Sequence, residues 1–167
     1  MATRKKTRPK RAPVRATRAA KKPAKKVDPI PDGYHVVTAA FRAVGCAAAI
    51  DFLKEALGAR VRDRYDGPDG SVMHAELQIG DSVVMCGDAG DAPVGPFPLF
   101  AMIYVKDVDR VFRRAVDAGA TVVRPLQDQF YGDRNGTVRD AWGNEWTIST
   151  HKEDVSHKEN LRRIASM

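Results

Sequence analysis

Residues 34–88 and 99–151 spell out one order of segments twice. The run FLKEALGARVRDR (Phe52–Arg64) can be laid on FRRAVDAGATVVRP (Phe112–Pro125), and the IGDS turn (Ile79–Ser82) on WGNE (Trp142–Glu145). A repeat of this kind is one supersecondary unit that cannot bury its apolar face alone. The pattern therefore points to two modules sharing a surface, not to two independent domains.

In the first copy, Pro29, Pro31 and Gly33 break the chain, and YHVVTAAFRAV (Tyr34–Val44) reads as a strand from its β-branched and aromatic residues. AAAIDFLKEALGA then places Ala48, Phe52, Ala56 and Leu57 at helical spacing, with Gly58 as its stop. A strand at Arg60–Tyr65, the turn DGPDG (Asp66–Gly70), and VMHAELQIGDSVVMCGD, two strands joined at Gly80 and Asp81, complete a βαβββ unit. After a Pro- and Gly-rich linker (Asp88–Pro98), the second copy runs through LFAMIYVKD, VDRVFRRAVDAGA and TVVRP. It continues through a long loop containing FYGDRNG (Phe130–Gly136) to the hairpin GTVRDAWGNEWTIST. The expected class is α+β, two tandem βαβββ modules within residues 31–151.

The flanks differ in kind. Residues 1–26 hold 12 Lys and Arg and no acid, whereas the remainder holds 16 basic and 21 acidic residues, so the overall +7 conceals a folded part of about −5. Residues 1–30, mostly Lys, Arg, Ala and Pro, bury too little apolar surface to offset chain ordering, and read as a disordered basic tail. Its charge suits sequence-independent contact with nucleic-acid phosphates, and the lack of interleaved aromatics argues against specific reading. Residues 152–167 form a polar segment in which Ser156 and Glu159 can cap a short helix. No stretch approaches the roughly 20 apolar residues of a membrane helix, and no apolar run follows the basic start. A cytoplasmic protein is expected, with Cys46 and Cys86 as buried free thiols outside any zinc-like spacing.

IDFLKEALGA in the first module, HAELQIGDSVVM closing it, and DQFYGDRNGTVRDAWGNEWTISTH closing the second resemble the vicinal oxygen chelate (VOC) superfamily. Within it, the chain is similar to the PhnB-like, glyoxalase and bleomycin-resistance branch. The resemblance covers about Tyr34–His151. It implies a curved, barrel-like mixed sheet whose concave groove binds ligands and is usually completed by a second subunit in a homodimer. Metal-dependent relatives carry His, Gln or Glu at four places on the first and last strands of each module. The equivalent positions here are Thr38, Met85, Phe100 and Thr147, so neither a metal nor another cofactor is expected. His35 and Glu145 lie close enough in sequence for a shifted site. A one-residue shift reverses faces in a strand, however, so His35 and Thr38 cannot both look into the groove.

Alternation in VMHAELQI sends Met73, Ala75, Leu77 and Ile79 toward the helix and Val72, His74, Glu76 and Gln78 to the other face. His74 can then act as a general base oriented by Glu76, or the two form a polar pair that supports the sheet or a dimer contact. Sharing the parity of the four ligand positions are Thr38, Ala40 and Arg42, Met85, Phe100, Met102 and Tyr104, and Glu145, Thr147 and Ser149. Together they describe an apolar cavity with a few polar anchors, while Trp146 takes the packed face. In FYGDRNG, Tyr131 and Arg134 can hold an anionic or aromatic ligand, or Asp133 and Arg134 pair to set the turn. His35, His151 and His157 are read as having no part in a site. The leading functional expectation is metal-independent binding of a small molecule in a dimer groove. The first alternative is a VOC-type lyase, isomerase or dioxygenase, with a shifted metal site or His74 and Glu76 in acid–base roles. The second is a nucleoid-associated protein acting through residues 1–26.

Overall fold

A computed structural model describes residues 29–90 and 95–166; the reading of residues 1–26 as a disordered, nucleic-acid-binding tail falls outside them. The elements run β1 (Ala39–Ala43), α1 (Cys46–Leu57), β2 (Arg60–Asp66), β3 (Val72–Ile79), β4 (Ser82–Asp88), β5 (Phe100–Tyr104), α2 (Val108–Asp117), β6 (Thr121–Asp128), β7 (Asp133–Arg139), β8 (Glu145–His151) and α3 (His157–Ala165). The repeat is explicit in the strand orders, β1-β4-β3-β2 in one sheet and β5-β8-β7-β6 in the other. In each, the first strand lies parallel to the last and the remaining pairs are antiparallel. The fold is α+β as expected, although the two mixed sheets do not close into a barrel.

The two main helices start and stop for local reasons. The N–H groups of Gly58 and Ala59 return to the carbonyls of Lys54 and Leu53, ending α1 with Gly58 in the left-handed region at φ 72°. Asp107 caps α2 by accepting the Arg110 N–H at 3.0 Å. On α1 the buried face is Cys46, Ala49, Ile50, Leu53, Ala56 and Leu57, with Phe52 beside it. Ala48, expected inside, faces solvent, because the spacing fits a stripe one position later. From α2, Val108, Val111, Phe112 and Ala115 meet this surface. Each fully buried Leu or Ile contributes about 1.5–3 kcal/mol. The core is thus shared between the modules, as the repeat implied.

Several boundaries depart from the sequence reading. The first strand is only five residues long, leaving Thr38 just outside it with its hydroxyl toward the His35 carbonyl. On β3, Ala75 and Leu77 are buried as expected, but Val72 is also buried and Met73 is exposed. The pairing slips between Tyr65–His74 and Asp66–Val72, and this bulge reverses the alternation at the start of the strand. FYGDRNG is only half loop, since Asp133–Gly136 belong to β7. Gly136 sits there because of space rather than turn geometry: a Cβ would lie 2.6 Å from the Phe112 ring and 3.0 Å from the Arg124 carbonyl oxygen. That glycine lets α2 pack against the strand.

Candidate functional site

The helices cover one face of each sheet, and the site candidates lie on the other. In the second module, β8 is flanked by β5 and β7, and the register sets residues opposite one another in rows: Phe100, Glu145 and Arg139; Met102, Thr147 and Thr137; Tyr104, Ser149 and Asn135; then His151 and Asp133. Trp146, Ile148 and Val138, of opposite parity, are fully buried beneath the helices. Period-two alternation alone therefore builds this face.

Its centre is polar and buried. Asp133, Asn135, Thr137, Thr147 and Ser149 are each no more than 5% exposed, and each has a partner, as buried polar groups require. The Thr137 and Thr147 hydroxyls lie 2.9 Å apart. The Asn135 amide donates to the Tyr131 hydroxyl at 2.8 Å and accepts from Gln129 at 3.1 Å. Asp133 accepts from Tyr104 at 2.9 Å and Ser149 at 3.1 Å, and its other oxygen meets His151 Nδ1 at 2.8 Å. Burial opposes ionisation of Asp133, but the donors from His151, Tyr104 and Ser149 outweigh it and hold the carboxyl below its ordinary range. His151 is raised in turn by Asp133 and then by Asp154, which meets Nε2 at 3.0 Å. Donation to Asp133 also pushes the Tyr104 phenol up. With both ring nitrogens on carboxylates, the cationic form of His151 is favoured relative to a free imidazole.

Around this polar centre the face is apolar and open: Phe100, Met102 and Tyr104 on β5 are 69%, 41% and 62% exposed. Glu145, at its edge, is bonded to Arg139, with Oε1 2.5 Å from Nη2. In the first module, Arg42, Met85, His74 and Glu76 line the corresponding face. His74 Nε2 lies 3.5 Å from Glu76 Oε1, and the Tyr65 ring stacks on the imidazole. The Arg42 guanidinium donates to the Asp88 carbonyl, while its Nε is buried with no partner.

Two residues are placed differently from expectation. Arg134 and Asp133 do not pair, because consecutive strand residues point to opposite faces. Arg134 turns to the helix side, where Asp109 holds it through two oxygens at 2.7–3.2 Å and Asp128 adds a contact at 3.3 Å. Asp133 turns inward to His151, which the sequence reading had set aside. His151 continues the parity of Thr147 and Ser149, and that signal was available in the sequence. Asp133 gave none, since it stands among residues typical of loops.

The four inherited metal positions hold two hydroxyls, a thioether and a phenyl ring, and Thr147 is committed to Thr137. This donor set does not fit a divalent transition metal. Among the described residues, no three His, Cys, Asp or Glu side chains converge as ligands.

Two βαβββ modules with helices on one face and a partly polar cup on the other define the class of paired-module α+β proteins. The chain belongs to the glyoxalase/bleomycin resistance protein/dioxygenase superfamily, whose family model matches residues 35–148. An uncharacterised protein of Mycobacterium bovis is 40% identical over 130 residues, covering 72% of this chain and 86% of its own. The crystal structure of TioX from a Micromonospora species is 32% identical, with a TM-score of 0.58 over 69% of this chain and 95% of that one. A Bacillus cereus structure described as a putative 3-demethylubiquinone-9 3-methyltransferase, PhnB protein, is 16% identical and shares the fold, with a TM-score of 0.54 over 70% of this chain and 99% of its own. Among the described residues no helix is long and apolar enough to cross a membrane.

Proposed function

We propose that the chain is a metal-independent small-molecule binding protein of the PhnB-like branch. It acts in the cytoplasm, with its ligand held against the cupped face of the second sheet and enclosed by a second copy in a homodimer. One observation carries this reading: a buried, fully hydrogen-bonded polar centre on β7 and β8 beside the exposed Phe100, Met102 and Tyr104. Exposed aromatic and thioether side chains around a few fixed polar anchors suit an apolar ligand with one or two hydrogen-bonding groups. Their exposure also supports a face that a second copy covers. The test is a thermal-shift screen of aromatic and polycyclic compounds. Hits should form one-to-one complexes, weaken about tenfold or more in Thr147→Val or Phe100→Ala, and leave the metal content unchanged. Light scattering should give twice the chain mass, and Phe100→Asp should return it to the monomer. Hits unaffected by these variants, or a monomeric wild type, would overturn the reading.

The proximity of His74 to Glu76 favours a second reading, acid–base catalysis of the lyase, isomerase or dioxygenase classes. Turnover that survives chelation and is lost in His74→Gln would establish it. The charge of residues 1–26 favours a third, nonspecific nucleic-acid contact. That contact should weaken steeply with salt and vanish when those residues are deleted; equal binding by the truncated chain would exclude the tail.

A further inference from the structure

A cavity of about 860 Å³ lies beside the cup and shares Met102 and Tyr104 with it. It lies at the seam between the modules, lined by the edge strands β1 and β5, the β3–β4 turn and the start of α2. Its walls come from both modules: Val37, Ala39 and Val84 from the first, and Ala101, Ile103 and Val111 from the second. Ala39, Val84, Ala101 and Ile103 belong to the helix-side parity of their strands, opposite to Thr147 and Asp133, whereas Met102 and Tyr104, also in the lining, belong to the parity of the cup. Small side chains, Ala39 and Ala101, line the cavity from the two edge strands. Val37, in its lining, is 84% exposed.

The polar groups at this cavity are not balanced. Asp81 accepts the Ser82 hydroxyl at 2.9 Å, and Asp107 is occupied in capping α2. Arg110 leans on Asp107 at 3.6 Å, and Arg114 spends its Nε on the Ala56 carbonyl at 2.7 Å, leaving its terminal nitrogens over. Lys106 lines the cavity and makes no hydrogen bond or ion pair among the described residues. The acids are thus engaged locally while ammonium and guanidinium donors remain available, so an anionic head is favoured over a cationic one.

We propose that the seam cavity is a second binding site, adjoining the cup, for an amphiphile with a single apolar chain and a carboxylate head. The chain lies between β1 and β5 against Ala39, Ala101 and Ile103, and the head meets Lys106 with Arg110 beside it.

Calorimetric titration of the full chain with dodecanoate, dodecanol and dodecyltrimethylammonium, below their micellar concentrations, tests this. Dodecanoate should bind once per chain and at least tenfold tighter than the cation. Lys106→Gln, a surface change that leaves the core intact, should weaken dodecanoate about fivefold without altering dodecanol. Ala101→Leu, checked for folding by circular dichroism, should weaken both, whereas Thr147→Val in the cup should weaken neither. Equal affinity for the three head groups, indifference to Lys106→Gln, or loss of binding in Thr147→Val would each overturn the proposal. So would an Ala101→Leu variant that leaves dodecanoate affinity unchanged but alters the oligomeric mass, because the cavity would then be a contact between copies.

Discussion

Replacing Asp133 with Asn probes the polar centre at its most connected point. The change preserves shape and leaves one oxygen for the Tyr104 and Ser149 hydroxyls, but it sets an amide donor against His151 Nδ1, 2.8 Å away. Hydrogen bonds to a charged group contribute about 1.5–3 kcal/mol each, and a mispaired buried donor costs about 1–3 kcal/mol. With Asp133 only 4% exposed, a loss of about 2–4 kcal/mol is expected, or about 10 °C in Tm for a fold of this size. The loss should depend on pH. The folded pKa of Asp133 lies below its unfolded value, so its stabilisation is present above the ordinary carboxylate range and fades as pH falls through the folded value. The folded pKa of His151 is raised, so its share is complete below about pH 6.5 and fades as pH rises through the folded value. The gap between wild type and variant should therefore be widest near pH 5–6 and narrow on both sides. Calorimetric unfolding between pH 3 and 9 measures it. A gap below about 0.5 kcal/mol, or one that is flat in pH, would refute the argument.

Other outcomes follow from the same geometry. Gly136→Ala should cost about 1–3 kcal/mol by forcing a Cβ against the Phe112 ring, read as a lower denaturant midpoint; an unchanged midpoint would show that α2 can shift. Cys46 and Cys86 are free and buried, and the neighbouring Cys46 thiol, followed by burial, pushes the Cys86 thiol up. An aromatic disulfide reagent should accordingly titrate two thiols in denaturant and react far more slowly with the native chain. Zinc, nickel, manganese and iron titrations should show no stoichiometric uptake. Tight binding that is lost in His35→Ala or Glu145→Ala would restore the shifted metal site.

The fold was legible because its determinants are local or periodic. Gly58 and the apolar spacing of Phe52, Ala56 and Leu57 mark the first helix, the repeat marks the second, and alternation assigned Trp146 and Thr147 to opposite faces before any pairing was known. What escaped depended on partners distant in sequence. The bulge at Met73 arises from β2, and no pattern within VMHAELQI announces it. The strand character of Asp133–Gly136 comes from pairing with β8, which overrides residues that locally favour a turn. The joining of Asp133 to His151 required that register, and the seam cavity required two edges whose relation no single segment encodes.

The position of β8 has a consequence for how the chain is made. All four strands of the first sheet lie between Ala39 and Asp88, so that sheet can assemble as soon as this stretch has left the ribosome. The second cannot, because β8, its link between β5 and β7, ends only at His151. At about 5–20 residues per second, synthesis separates the two moments by several seconds. During that interval the inward face of α1 waits for α2, and β5 has no neighbour. A nascent chain of this architecture thus spends its most vulnerable period half built, and substitutions that weaken the first module alone would act then, before the completed molecule could compensate.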